Sequence, residues 1–285
     1  MKLTPLLCDV GEASKMSEPV RTVDRALDIL LCFRQDESVL SFTQIVERSS
    51  VPKSTVHRLL ATLERKRFII RDKTTGKYQL GLRFIEMASL VLQDADLQRW
   101  SQLYLQRLSD ECGETVDLAV LDGADVVYLQ VIEGPRRVKI AARIGQRLPA
   151  FCTASGKAFL AYLPDDEVRR ILGDGLPKYT ENTPVSFTDL SEELRVVRER
   201  GFAISEEEYE KDINAVAAPI LDANGCPVAA VAIAGPSFRL PHERMLMLGQ
   251  SIQATTDAIA REVGPFSLSA IVSNPATPGL AGQNK

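Results

Sequence analysis

Residues 52–63 constrain the fold of this chain more than any other stretch. Pro52 can begin a helix without the loss of a hydrogen bond, because proline lacks only an N–H group and the first N–H groups of a helix have no partner within it. Apolar residues then recur at the spacing of one helical face, namely Val56, Leu59, Leu60 and Leu63. The opposite face is polar throughout. The stretch predicts a short amphipathic helix that has to pack against other elements.

The neighbouring segments predict the elements that this helix packs against. Residues 21–34 carry apolar side chains at helical spacing, and Ser41 stands as the N-cap of a short second helix. After the third helix the pattern changes to that of strands, over residues 68–71 and 77–80, with a polar loop containing Gly76 between them. Three helices followed by a β-hairpin are the plan of a winged helix-turn-helix domain, which we expect to span residues 19–81.

Charge is distributed unevenly along the chain. Residues 19–80 hold 12 Lys and Arg against 7 Asp and Glu, whereas residues 81–285 hold 20 against 28. A basic N-terminal region followed by an acidic remainder is expected when only the N-terminal region contacts phosphates. The polar face of the third helix and the hairpin loop supply the candidate DNA-binding residues, which are Lys53, Ser54, Thr55, His57, Arg58, Thr62, Lys73 and Lys77. The alternative is that this face is merely solvated.

Several classes of protein and site are disfavoured by the sequence. No apolar stretch is long enough to span a bilayer, and acidic residues follow the short apolar patch at the start, so we expect a cytoplasmic protein. The five cysteines form no Cys-x-x-Cys pair and there are only two histidines, so we expect no structural zinc site and no cofactor. No residues with the spacing of a catalytic triad are found, so an enzyme is not expected.

The rest of the chain predicts a second, larger domain of the α+β class. Residues 82–95 are predicted to form a linker helix, and residues 96–264 an effector-binding domain around an antiparallel sheet. The predicted strands are residues 115–121, 126–132, 138–142, 202–206, 215–221 and 227–234. The predicted helices are residues 155–163, 165–172, 190–200 and 241–261. Residues 1–18 and 265–285 lack periodicity and are predicted to be a disordered arm and tail.

Several short motifs in series resemble those of the IclR family of bacterial transcription regulators. In the first domain they are RALDIL at residues 25–30, PKSTVHRLL at 52–60 and GKYQLG at 76–81. In the second they are GETV at 113–116, GQRLP at 145–149, TASGKA at 153–158 and GP at 235–236. The resemblance implies a winged helix-turn-helix joined by a linker helix to an effector domain related to GAF and PAS sensors. It also implies dimers or tetramers that bind palindromic double-stranded DNA and either repress or activate.

The resemblance further implies a pocket between the loop 151–156 and the sheet, for a small organic acid or aromatic compound. The implied effector-binding residues are Phe151, Cys152, Ala154, Ser155, Ser205, Ala215, Ala232 and Ala234. Because three of the four strand positions are alanine, we expect an effector larger or more apolar than a very small polyoxygenated acid, with Phe151 stacking on its ring. The alternative is that these alanines are small core residues of a differently filled pocket.

Two other functions remain open at the level of the sequence. Cys152 lies in the pocket loop, and a nearby Arg147 would lower the pKa of its thiol, which would suit a redox-responsive regulator. A GAF-like enzyme is the second alternative, although neither Ser50-x-x-Lys53 nor Ser155-Gly156-Lys157 matches a catalytic or phosphate-binding motif in its expected context.

Overall fold

The structure is a computed structural model, and it divides into two compact units after Gln93. The residues that it describes are 20–34, 37–93, 96–173 and 175–263. The arm 1–18 and the tail 265–285 predicted from the sequence lie outside these ranges. Within them, no helix is long and apolar enough to cross a membrane.

The first unit has the order of elements that the sequence predicts. Its elements are α1 (Arg21–Leu31), β1 (Val39–Leu40), α2 (Phe42–Ser49), α3 (Lys53–Arg65), β2 (Ile69–Arg71), β3 (Tyr78–Leu80) and α4 (Arg83–Gln93). The three helices and the hairpin are confirmed. The prediction missed β1, which pairs antiparallel with β3 and gives a sheet of order β1-β3-β2. Two residues are too few for an alternating pattern to be visible in the sequence.

The start of α2 is fixed by a capping box, as the Ser41 N-cap predicts. The Ser41 hydroxyl accepts a hydrogen bond from the Gln44 amide at 3.3 Å, and the Gln44 side chain accepts one from the Ser41 amide at 2.8 Å. These bonds satisfy two amides that the helix leaves unpaired. The apolar faces of α1, α2 and α3 then meet in one core. Val56 and Leu60 of α3 are buried there, as the spacing predicts.

The second unit is an α+β domain around a six-stranded antiparallel sheet, which confirms the predicted fold class. Its strands are β4 (Thr115–Asp122), β5 (Asp125–Ile132), β6 (Arg147–Pro149), β7 (Ala203–Glu206), β8 (Ile213–Leu221) and β9 (Pro227–Pro236). They lie in the order β6-β5-β4-β9-β8-β7. Its helices are α5 (Asp96–Cys112), α6 (Ala154–Leu160), α7 (Asp165–Leu172), α8 (Phe187–Arg200) and α9 (His242–Val263).

One predicted strand, residues 138–142, is wrong. This segment is apolar apart from Lys139 and contains the β-branched Val138 and Ile140, yet it forms no strand. The carbonyl of Val138 accepts a hydrogen bond from the Arg239 guanidinium at 2.8 Å instead. The strand at this edge of the sheet is β6, which pairs with β5. It escaped prediction because it is only three residues long and ends in Pro149.

The two faces of the sheet differ in the size of their side chains. Large residues of β8 and β9, such as Val216 and Ile233, pack against α5 and α9. The opposite face of these strands carries alanines, among them Ala217 and Ala230, and packs against α6. Because successive residues of a strand point to opposite faces, this division follows directly from the sequence alternation. The small residues let α6 approach closely and leave room for a cavity beside it.

Candidate functional site

The polar face of α3 is open to solvent along its length. Of the eight residues predicted to bind DNA, only Thr55 is half-buried, and the other seven are exposed, namely Lys53, Ser54, His57, Arg58, Thr62, Lys73 and Lys77. The exposed face follows from the apolar spacing, because burial of Val56, Leu59 and Leu60 turns the intervening residues outward.

An aromatic side chain that sequence reasoning missed supports this face. The Phe42 ring of α2 lies 6.0 Å from the Lys53 ammonium and meets the His57 imidazole edge-on, with ring centroids 6.3 Å apart. Both contacts restrict side chains at the exposed end of α3. Thr62 is placed differently, because its hydroxyl donates to the Arg58 carbonyl at 3.0 Å and keeps only its acceptor capacity for a ligand.

The hairpin loop holds Lys73 and Lys77 at a defined turn. The Asp72 carboxylate accepts hydrogen bonds from the amides of Thr74 at 2.8 Å and Thr75 at 2.7 Å, and these bonds lower the pKa of Asp72. Gly76 adopts φ +70°, a left-handed conformation that glycine takes without strain. The turn therefore presents both lysines to solvent on the loop of a wing.

The second unit contains a cavity of about 360 Å³ between the alanine face of the sheet and the start of α6. Seven of the eight predicted effector-binding residues line it, namely Cys152, Ala154, Ser155, Ser205, Ala215, Ala232 and Ala234. They come together because the turn Ala150–Cys152 and the first turn of α6 cross over β7, β8 and β9. Thr153 caps α6, its hydroxyl accepting from the Gly156 amide at 3.3 Å.

Phe151 does not line this cavity, which corrects the expectation that it stacks on the effector. Its side chain is buried and packs against Tyr179, with ring centroids 6.2 Å apart, and Tyr179 in turn packs against Tyr209 at 5.0 Å. The aromatic residues that do line the cavity are Tyr128 and Tyr209. Burial is the main cause that raises the pKa of both phenols, so they remain neutral hydrogen-bonding groups at pH 7.

Asp117 is the functional candidate that sequence reasoning missed. It is the third residue of β4, is 1% exposed and lines the cavity. Burial raises the pKa of its carboxyl to about 8, and a hydrogen bond with Ser155 offsets only part of that effect. Among the residues that the structure describes, its Oδ1 atom has no hydrogen-bond partner. The signal in the sequence was an acidic residue within a strand whose neighbours on both sides are apolar.

Residues 139–142, which form no strand, make up part of the outer wall of the cavity. The buried carboxylate of Glu114 holds the neighbouring chain in place through arginine side chains. Glu114, 1% exposed, accepts hydrogen bonds from Arg136 at 2.9 Å and from Arg239 at 2.6 and 2.7 Å, and Arg244 lies 3.6 Å away. A buried carboxylate is stable only when it is paired in this way. These contacts join the segment to the start of β4 and to the turn that follows β9.

The predicted effect of Arg147 on Cys152 is wrong. Arg147 pairs with Asp122 at 2.6 Å and Asp125 at 3.2 Å, away from the thiol. Burial, together with the charge of Glu208, raises the pKa of the Cys152 thiol to about 12. A thiol in this environment does not form the thiolate that redox chemistry requires.

Lys157, which follows the Ser155-Gly156 pair, has a structural role. It is 2% exposed, and its ammonium contacts Glu208 at 2.5 Å and Glu193 at 2.9 Å. These bonds tie α6 to α8 and to the segment after β7. The position of Lys157 therefore gives no support to a phosphate loop.

Comparison with known proteins assigns both units to one family. The family model described as the IclR helix-turn-helix domain matches residues 22–73, and that of the bacterial transcriptional regulator IclR C-terminal domain matches residues 89–261. The chain is 32% identical to the HTH-type transcriptional regulator XynR of Escherichia coli, over 86% of the chain and 98% of XynR. It is 31% identical to the transcriptional repressor IclR of E. coli, over 82% of the chain and 86% of IclR. The crystal structure of an IclR transcriptional regulator from Alicyclobacillus acidocaldarius superposes with a TM-score of 0.76 at 28% identity, over 86% of the chain and all of that protein.

Proposed function

The chain belongs to the IclR family of transcriptional regulators, and we propose that it acts in the cytoplasm as a homodimer or homotetramer that binds a palindromic operator and responds to a small organic acid. The observation that carries the proposal is the exposed polar face of α3, beside a wing with two exposed lysines. We further propose that it represses a nearby catabolic operon, because its relative of 31% identity is a repressor.

The proposed DNA interface divides its contacts by chemistry. Arg58 presents a fork of N–H donors that matches the O6 and N7 atoms of guanine in the major groove. Lys53, Lys73 and Lys77 are exposed point charges suited to phosphates, where they add affinity without reading sequence. Ser54 and Thr55 lie in the first turn of α3, whose unpaired amides favour an anion nearby.

Association of two copies is supported by the apolar surface of the first unit. On α1, Val23, Leu27 and Leu31 are 53–72% exposed and recur every four residues along one side of the helix. Ile85 and Leu90 of α4 are 65% and 63% exposed. Such stripes are uncommon on monomeric proteins and mark interaction sites. A dimer that pairs these faces would carry two copies of α3, which a palindromic operator requires.

The cavity of the second unit is proposed as the effector site. Its volume of about 360 Å³ is in the range of small-ligand pockets. Amides at the start of α6, near Ala154 and Ser155, suit the carboxylate of an organic acid, and the alanine face leaves room for a ring or a branched chain. The rival interpretation is that Ala215, Ala232 and Ala234 are small core residues of a differently filled pocket, and the burial of Ala232 in the core is the observation that favours it.

The DNA part of the proposal is tested with single alanine substitutions. Operator fragments are first selected from a random-sequence DNA pool with the full-length protein, and binding is then followed by fluorescence anisotropy. Arg58→Ala is expected to weaken specific binding by about 1–3 kcal/mol and to relax selection at one position of each half-site. Lys73→Ala is expected to weaken specific and random DNA about equally and to reduce the salt dependence.

A matched control is Arg195→Ala, which removes an exposed guanidinium of α8 in the other unit. It is expected to leave both affinities unchanged. If Arg58→Ala and Arg195→Ala behave alike, α3 does not read the operator, and the proposed interface is wrong.

A further inference from the structure

The cavity holds an acidic side chain at the centre of the sheet. Asp117 pairs in register with Val131 of β5 on one side and Ala232 of β9 on the other, so apolar neighbours flank it along the sheet. Its buried Oδ1 atom has no hydrogen-bond partner in the described part of the chain. A buried polar atom left unpaired is costly, and a ligand that pairs with it recovers that cost on binding.

The groups that line the same cavity leave Asp117 without a compensating cation. The titratable side chains among them are Tyr128, Lys139, Cys152, Tyr209 and Glu210. Lys139 is the cation of this set, and its ammonium is paired with Glu133. Burial raises the pKa of Asp117 to about 8 against the smaller effect of a hydrogen bond with Ser155, and no basic side chain of the described ranges is among the causes. The carboxyl is therefore mostly uncharged at pH 7.

The uncharged state of Asp117 determines which ligands can enter the cavity. Two negative charges in a small buried cavity repel each other strongly, because the surroundings screen them poorly. An acid that brings its own carboxylate can bind only while Asp117 keeps its proton. A protonated carboxyl then offers one O–H donor and an acceptor oxygen to the rest of the ligand.

We propose that Asp117 is a specificity-determining residue that, as a neutral carboxylic acid, holds a hydroxyl or carbonyl oxygen of an effector with a single negative charge. The effector class is thus a hydroxy or oxo monocarboxylic acid. This inference rests on the proposed function of the cavity as the effector site. Dianions are excluded by repulsion, and apolar monoacids bind more weakly because they leave the Oδ1 atom of Asp117 unpaired.

The selectivity is tested by isothermal titration calorimetry with ligands that differ at one end only. The aromatic probes are para-hydroxymethylbenzoate, para-methylbenzoate, terephthalate and para-aminomethylbenzoate. A straight-chain set of δ-hydroxyvalerate, valerate, glutarate and δ-aminovalerate serves the same purpose. Within the set that binds, the hydroxy acid is expected to bind at least about tenfold more tightly than its methyl analogue and its dianion. Equal affinity of the hydroxy acid and the dianion overturns the proposal.

The protonation state is tested with the same hydroxy acid at two pH values. In the ligand-free chain, a pKa of about 8 leaves Asp117 protonated in about nine-tenths of the molecules at pH 7 and in about one-tenth at pH 9. The Kd of the hydroxy acid is therefore expected to rise about tenfold between these pH values, and binding at pH 9 is expected to take up a proton. The opposite trend, with the aminomethyl or amino analogue as the tightest ligand, would mean that Asp117 binds a cation in its ionised form and would overturn the proposal.

Two variants distinguish the hydrogen bond that Asp117 makes to the ligand from the charge of its carboxyl group. Asp117→Asn mimics the neutral acid and is expected to bind the hydroxy acid within about threefold of the native chain at pH 7 and to lose the pH dependence, whereas Asp117→Ala binds about tenfold or more weakly. Asp166→Asn, the same change at an exposed carboxylate of α7, is the matched control and keeps the native pH dependence.

These outcomes separate failure of the inference from failure of the proposed function. Binding of the acids with no difference between the hydroxy acid and its analogues, and no effect of pH, leaves the cavity as the effector site and refutes the role of Asp117. Absence of binding by both sets of acids counts against both. Operator binding by Asp166→Asn in the absence of ligand is measured alongside, and it is expected to equal that of the native chain.

Discussion

Replacing Asp117 by Asn is expected to change how the stability of the protein depends on pH. Asp117 is fully buried, and burial raises the pKa of its carboxyl from 3.8 to about 8. Between these values the folded chain holds a proton that the unfolded chain has released. The free energy of unfolding therefore falls as pH rises, because the contribution is fully present below the unfolded pKa of 3.8 and is lost progressively until the pH passes the folded value of about 8.

The size of the effect follows from the same two values. A tenfold change in proton affinity is worth about 1.4 kcal/mol, so the loss is about 1.4 kcal/mol per pH unit and about 3 kcal/mol between pH 5 and pH 7. For a domain of this size the equivalent change in melting temperature is about 6–12 °C. Asn does not titrate in this range, so Asp117→Asn removes this part of the slope and leaves the contributions of all other groups in place.

Urea unfolding, followed by circular dichroism at fixed protein concentration, measures this slope in the native chain and in Asp117→Asn. Subtracting one curve from the other cancels the groups that both share. The control is Asp166→Asn, whose carboxylate is exposed and whose curve is expected to run parallel to that of the native chain. Parallel curves for the native chain and Asp117→Asn would refute the conclusion that Asp117 is buried as a neutral acid.

Three further predictions concern packing, capping and the thiol. Gly156→Ala is expected to lower the free energy of unfolding by more than about 3 kcal/mol, because a Cβ there would lie 2.1 Å from the Ala150 carbonyl oxygen. In the same urea assay the control Gly175→Ala, which has open space around it, is expected to change the free energy of unfolding by less than about 1 kcal/mol. Ser41→Ala is expected to cost about 1 kcal/mol, measured by thermal unfolding, because it removes the capping box of α2. Burial raises the pKa of the Cys152 thiol to about 12, so this thiol is expected to resist iodoacetamide at pH 8 in the folded chain and to react once the chain is unfolded. Labelling is followed by mass spectrometry, and rapid labelling of Cys152 in the folded chain would restore the redox alternative.

The first unit could be predicted closely because its signals are local. The apolar spacing of α3, the N-cap at Ser41 and the glycine-containing turn at Gly76 each specify a backbone conformation within a few residues. The short strand β1 lacked such a signal, because it exists only through its pairing with β3. The error at residues 138–142 has the same origin, since a tertiary contact of Arg239 fixes the backbone of a segment whose β-branched Val138 and Ile140 favour a strand.

The effector cavity was predicted only in part, because its residues come from distant parts of the chain. Family resemblance indicated the strand positions and the α6 loop, and the structure brings seven of the eight residues together. It did not indicate that the ring of Phe151 turns to Tyr179, nor that Arg147 pairs with Asp122 and Asp125. The environment of Asp117 depends on register between β4, β5 and β9, which the sequence leaves unspecified.

The most direct test of the whole account is to measure the coupling between operator and effector in both directions. Anisotropy gives the Kd for a selected operator with and without a saturating hydroxy acid, and calorimetry gives the Kd for that acid with and without the operator. Since both ligands act on one equilibrium, each is expected to change the affinity of the other by the same factor, in the range of about 5–150-fold. Sequence-specific operator binding that the acid does not alter, or binding with no preference for the selected DNA, would contradict the account.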